Sequence, residues 1–150
     1  MIHVTRTMLV PRPIEDAVGY FADFARTQEW DPATVSCIRL DRGPVEPGAR
    51  WRNLSRFRGR TSELEYRLDV RRADHLVFTG ENGTVLVTDD LSFTPASAES
   101  TRLTYAATFA FKGIARLAAP FLRREVARLA DAVAAEVPRV TAHCGGAGLR

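Results

Sequence analysis

The 150 residues form most simply one domain, and a hydrophobic fraction of 45% with 26% charged residues excludes a disordered chain or a membrane-embedded one. No apolar run approaches the roughly 18 residues of a membrane span, and residues 1–10 lack the basic start and apolar block of a signal peptide. A cytoplasmic protein is therefore expected. The net charge of +3 is too small to require a polyanionic partner. Cys37 and Cys144 belong to no metal or redox spacing, and two thiols without an export signal are read as reduced.

In chain order, Ile2 to Val10 alternates as a strand. Pro11 and Pro13 end it and open a helix whose stripe is Ile14, Ala17, Val18, Phe21 and Phe24. A short helical turn over Thr27 to Trp30 stops at Asp31-Pro32. Period-two patterning then predicts strands at Val35–Asp41, Ala49–Phe57, Thr61–Val70, a pair around Asn82-Gly83, and Thr101–Phe111.

A two-residue turn at Gly59-Arg60 would pair Phe57 with Ser62, Ser55 with Leu64, Asn53 with Tyr66 and Trp51 with Leu68. The other face would set Arg56 against Glu63 and Arg50 against Asp69. Around Asn82-Gly83, Phe78 would face Val87, Gly80 would face Val85, and Leu76 would face Asp89. The last strand turns Leu103, Tyr105, Ala107, Phe109 and Phe111 inward.

A long helix is expected over Ile114 to Val137. Its apolar face is Leu117, Phe121, Leu122, Val126, Leu129, Ala130, Val133 and Val137. Pro138 should end it, which makes residues 1–138 the domain and 139–150 a loose tail. One strand, two short helices, six antiparallel strands and a long helix define an α+β helix-grip fold. A seven-stranded curved sheet gripped by one helix leaves a cavity between them.

The stretches Pro13-Ile14-Glu15-Asp16-Ala17-Val18, Asp23-Phe24 and Glu29-Trp30-Asp31-Pro32 carry a family resemblance. Gly48-Ala49-Arg50-Trp51, Gly59-Arg60 and Thr101-Arg102-Leu103-Thr104-Tyr105 extend it. Over residues 2 to 138 the chain resembles the polyketide cyclase/dehydrase and lipid-transport family of the START-like, Bet v 1-like superfamily (SRPBCC). That resemblance implies a hydrophobic small-molecule ligand, with some members cyclising or dehydrating polyketides and others only carrying a ligand. It implies no transferable catalytic signature.

The residues themselves contain no nucleophile elbow, no zinc-protease helix, no P-loop and no dinucleotide fingerprint. His3, His75 and His143 are scattered, so neither metal nor cofactor is expected. The informative feature is charge in inward phase. Arg6 shares a face with Ile2, Val4, Met8 and Val10, and Asp89 shares one with Val85, Val87, Leu91 and Phe93. A charge buried alone is costly, so each needs a partner or a wet cavity.

In a catalytic reading Asp89 is the general base or acid, Arg6 stabilises an enolate, and a tyrosine, Tyr66, donates a hydrogen bond. Trp30, Trp51, Asn53, Ser55, Leu64, Phe78, Val87, Tyr105, Phe109, Phe121 and Leu129 then form the ligand-binding wall. In a structural reading a β-bulge would exchange Asp89 with Asp90, Arg6 would reach water at the sheet's open end, and Trp30 would pack the core. Three function classes stay open: a cofactor-free cyclase or dehydratase, a non-catalytic lipid or metabolite carrier, and an interaction protein with a vestigial cavity.

The partner expected is a small hydrophobic ligand, with no nucleic acid and no membrane, the chain being a monomer or homodimer. Arg50, Arg52, Arg56 and Arg58 make a basic stripe. Glu63, Glu65 and Asp69 on the same outer face neutralise it, and stacking aromatics are missing there.

Overall fold

The structure is a computed structural model that describes residues 1–148, with side chains described as far as Ala142. The elements are β1 (Ile2–Val10), α1 (Ile14–Ala22), a 3-10 turn (Phe24–Arg26), α2 (Thr27–Trp30), β2 (Thr34–Arg39), β3 (Arg50–Phe57), β4 (Arg60–Arg72), β5 (His75–Glu81), β6 (Val85–Pro95), β7 (Thr101–Phe111), a second 3-10 turn (Gly113–Leu117) and α3 (Ala119–Gly148). The seven strands form one antiparallel sheet in the order β1-β7-β6-β5-β4-β3-β2. The helix-grip expectation holds. α3 lies along the concave face against β1, while α1 and α2 close one end.

Alternation is a period-two rule, so it assigns faces correctly even where the register differs by two. Both hairpins show this. The β3–β4 turn is Arg58-Gly59, not Gly59-Arg60. Phe57 pairs with Arg60, Ser55 with Ser62, Asn53 with Leu64 and Trp51 with Tyr66. Arg58 (φ 54°) and Gly59 (φ 77°) both sit at positive φ, the requirement of a type I′ turn with glycine second. The outer ion pairs move accordingly: Arg52 meets Glu63 at 3.7 Å and Arg50 meets Glu65 at 3.2 Å.

At the β5–β6 hairpin, Gly80 pairs with Val87, Phe78 with Asp89 and Leu76 with Leu91. Asn82 stands outside the tight turn because its side-chain oxygen accepts from the amides of Thr84 (2.8 Å) and Val85 (3.0 Å).

The long helix differs from expectation at both ends. Residues 113–117 are a 3-10 turn, and Leu117 and Phe121 are each 76% exposed, outside the buried stripe. The stripe that packs is Ala119, Leu122, Val126, Ala130, Val133, Val137 and Thr141, with steps of three and four. Pro138 does not stop the helix. An interior proline costs about 3 kcal/mol or more, and fully buried Val137 and Thr141 on either side hold the turn in place. Thr141 also donates to the Val137 carbonyl at 2.6 Å. The expected loose tail is thus helix as far as residue 148, and residues 149–150 lie outside the described residues. Cys37 is buried and unbridged, whereas the Cys144 side chain lies outside the described ones. No helix among the described residues is long and apolar enough to cross a membrane.

Candidate functional site

α3 spans the concave sheet without filling it, leaving a cavity of about 720 Å³. The open end is bounded by the β3–β4 hairpin (Arg56, Arg58, Arg60), the β5–β6 turn (Thr84) and residues 115 and 118 before α3. Leu122, Val126, Leu129, Ala130 and Val133 of α3 form the roof. Leu64, Val87, Ala107 and Phe109 form the sheet wall. Phe24, Thr27, Trp30 and Asp31 close the inner end.

Asp89 projects into this space. β6 pairs regularly with both neighbours, placing Asp89 between Phe78 and Ala107 with no bulge. Asp90 therefore points outward, where its carboxylate meets the His75 ring at 2.8 Å. Asp89 lies four residues along β6 from Val85 at the mouth, about 13 Å at strand rise.

Asp89 is 4% exposed, and its Oδ1 accepts a hydrogen bond from the Tyr105 hydroxyl at 3.0 Å. Burial pushes its pKa up to about 7; the Tyr105 bond opposes that shift and the charge of Asp31 adds to it. Tyr105 and Tyr66 are raised well above the ordinary tyrosine value, first by burial and then by the Asp89 charge. Both phenols are consequently neutral donors near pH 7.

Tyr66 is held by its neighbours. Its ring stacks at 4.3 Å on Phe24 and lies over Gly80, its cross-strand partner, where a Cβ would come within 2.5 Å of the ring. Glycine at 80 is what lets that ring lie flat on the sheet. The Tyr66 hydroxyl has no hydrogen-bond partner among the described residues.

A second polar group comes from Asp31, which in the sequence is a helix stop and part of the family resemblance but no candidate site residue. Its carboxylate accepts from the Ala33 amide (3.0 Å) and the Thr34 hydroxyl (2.9 Å). Burial raises its pKa, against the pull of those two bonds. Asn53 donates to Thr27 and Thr34 (both 3.4 Å) and accepts from Ser55. Trp30 packs edge-on against Tyr105 at 6.1 Å, and its buried Nε1 has no acceptor among the described residues.

The structure thus brings Asp89, Tyr66, Trp30, Asn53, Ser55, Leu64, Val87, Tyr105, Phe109 and Leu129 to one cavity. Four expected residues lie elsewhere. Arg6 clasps α3 to β1, donating to Asp131 at 2.7 Å and to the Ala127 carbonyl at 3.4 Å, and does not line the cavity. Trp51 is fully buried in the core beside Phe78 and donates from Nε1 to Asp23 at 3.2 Å. Phe78 is equally buried, pressed between Phe24 and Trp51. Phe121 faces outward.

The residues that sequence reasoning missed are Asp31, Thr27 and the mouth arginines 56, 58 and 60. Arg56 and Arg58 belong to the basic stripe expected on the outer face; the hairpin tip instead brings them, with Arg60, to the cavity mouth. The adjacency of Asp31 to Trp30 was the available signal for Asp31. No group of three or more His, Cys, Asp or Glu among the described residues is arranged to hold a metal ion.

A curved seven-stranded sheet gripping a long helix over a cavity defines a START-like, Bet v 1-like protein. Residues 1–138 match the family described as "Polyketide cyclase / dehydrase and lipid transport", and the chain belongs to that family. Among curated proteins none matches significantly. Among solved structures, the chain superposes on the Zhui aromatase/cyclase from a Streptomyces species with a TM-score of 0.78 at 19% identity, covering 93% of this chain and 92% of that one. A START superfamily protein from Mycobacterium smegmatis gives 0.76 at 16% identity, covering 92% and 96%. The di-domain aromatase/cyclase BexL gives 0.72 at 18% identity, and there the match covers 93% of this chain and 46% of that one. At such identities these likenesses concern the fold.

Proposed function

We propose that the cavity binds a largely apolar, oxygenated small molecule of aromatic or polyketide type, and that Asp89 exchanges protons with it in cofactor-free cyclisation or dehydration. The observation that carries this reading is a buried carboxyl, with a pKa of about 7, facing a largely apolar cavity beside two neutral phenols. Such a group is half-ionised near neutral pH and can serve as base and as acid in one cycle. As base, the Asp89 carboxylate removes a proton from a carbon α to a ligand carbonyl. The enolate oxygen accepts a hydrogen bond from the Tyr66 hydroxyl, and the carbon attacks a second carbonyl of the same molecule. Asp89 then returns that proton to the new alkoxide. In the dehydration its carboxylate removes the second proton of the same α carbon and delivers it to the departing hydroxyl as the carbon–carbon double bond forms, so water leaves with both α protons and no external reagent is needed.

One observation favours a second reading, a non-catalytic carrier. Arg6, the cation expected to stabilise the enolate, is tied to Asp131 and Ala127, leaving only neutral donors near Asp89.

Native mass spectrometry of the purified protein, followed by a thermal-shift screen of aromatic polyketides, fatty acids and sterols, identifies the ligand class. A ligand at 100 times its Kd adds about 2.7 kcal/mol. Asp89→Asn then separates the readings. A catalyst loses turnover at unchanged affinity, whereas wild-type protein that binds ligand without ever converting it is a carrier. If no apolar ligand binds at all, the cavity reading fails.

A further inference from the structure

The segment that borders the cavity mouth has a second face. Ala115 and Ala118 turn towards the cavity, while Ile114, Leu117 and Phe121 stand 87%, 76% and 76% exposed. Their i, i+3, i+7 spacing keeps them on one side of the segment. Met1, also exposed, borders a shallow depression with Ala110, Phe111, Arg116 and Ala119 beside this segment. Large apolar side chains standing this far out, grouped on one short stretch, are not explained by the packing of the fold.

The charges around them are predominantly positive, Lys112 being paired with Glu81. No acidic residue occurs between Glu99 and Glu125. Arg116, Arg123 and Arg124 are exposed and have no acidic partner among the described residues. Glu125 is directed at Arg58, 4.0 Å away on the hairpin tip, and Arg56 and Arg60 of that same tip are likewise unpaired among the described residues. The outer sheet face differs. There Arg50, Arg52 and Arg67 are matched by Glu65, Glu63 and Asp69. Arg42, Arg72, Arg102 and Arg128 are also exposed without an acidic partner among the described residues, but at the mouth such arginines stand together around exposed apolar side chains.

We propose that Ile114, Leu117 and Phe121, ringed by these arginines, dock the cavity mouth on an anionic lipid surface. The apolar side chains would enter the headgroup–acyl boundary and the arginines would meet headgroup phosphates. A fluid bilayer accommodates protruding side chains without a preformed matching groove. The absence of a membrane-crossing helix among the described residues is compatible with this, because surface docking needs none. The docking does not depend on what the cavity holds, so it stands or falls apart from the proposed function.

The test is co-sedimentation of the intact protein with vesicles of phosphatidylcholine alone or mixed with phosphatidylglycerol. Binding is expected to the mixed vesicles only, and to weaken as salt is raised. Leu117→Ser with Phe121→Ser should lower the partition coefficient at least about tenfold. Arg116→Glu with Arg123→Glu and Arg124→Glu should abolish it. Both variants alter exposed residues, and urea unfolding verifies that each remains folded. Arg50→Glu on the outer sheet face should bind as wild type does.

Three results would overturn the proposal. One is no binding of wild type to mixed vesicles, including the case where it self-associates through this patch and Phe121→Ser restores the monomer. Another is equal binding to both vesicle types. The third is binding that survives both sets of substitutions.

Discussion

Asp89→Asn makes a quantitative test of the site because its effect on stability has a defined sign and pH window. Folding raises the Asp89 pKa from the ordinary value of 3.8 to about 7. Below about pH 4 the carboxyl is protonated in both states and contributes nothing. Between about pH 4 and 7 the unfolded chain releases the proton while the folded chain keeps it, so stability falls as pH rises. Above about pH 7 the loss is complete. About three pH units at 1.36 kcal/mol each make it roughly 4 kcal/mol.

The amide that replaces the Asp89 carboxyl cannot ionise and can still accept from Tyr105, so the variant lacks this penalty. Urea unfolding of both proteins from acid to mildly alkaline pH should show the variant gaining on wild type by about 1.4 kcal/mol per pH unit through the window, then levelling off. The raised pKa of Asp31 acts with the same sign, but Asp31 is present in both proteins and largely cancels in the difference. Parallel stability curves would mean that water or a cation reaches Asp89, and the account of a desolvated carboxyl would be wrong.

Gly80→Ala places a methyl within 2.5 Å of the Tyr66 ring. It should cost about 1–3 kcal/mol, and a double-mutant cycle with Tyr66→Ala should recover most of that loss; additive losses would place the clash elsewhere. The two tryptophans should respond differently to phenylalanine. Trp51→Phe breaks the bond to Asp23 and opens a core cavity, for about 2 kcal/mol or more, whereas Trp30→Phe deletes a buried donor that has no acceptor among the described residues and should change stability by less than about 1 kcal/mol. Equal costs in urea unfolding would refute the assignment of their hydrogen bonds. Pro138→Ala should stabilise the fold by up to about 3 kcal/mol and strengthen the far-ultraviolet helical signal. No gain in either would return the end of α3 to Val137.

Strand and helix order, the faces of the strands, and the inward placement of Asp89, Tyr66, Asn53 and Tyr105 are all legible in the amino-acid pattern. These follow from side-chain alternation, which a two-residue slip leaves untouched. Alternation did not determine registers. Those depended on which residues take positive φ in the turn, and Arg58 ahead of Gly59 offered no distinctive local signal. Nor could helical periodicity tell that the stripe begins at Ala119, leaving Leu117 and Phe121 outside, or that packing of Val137 and Thr141 carries α3 past a proline.

Which inward groups share the cavity depends on the packing of elements distant in the chain. Arg6 and Asp89 look equivalent along their strands, yet one meets Asp131 on a helix more than a hundred residues away and the other meets Tyr105 across the sheet. The Asp89 pKa of about 7 is likewise tertiary, because burial causes it, and the burial comes from elements far apart in the chain.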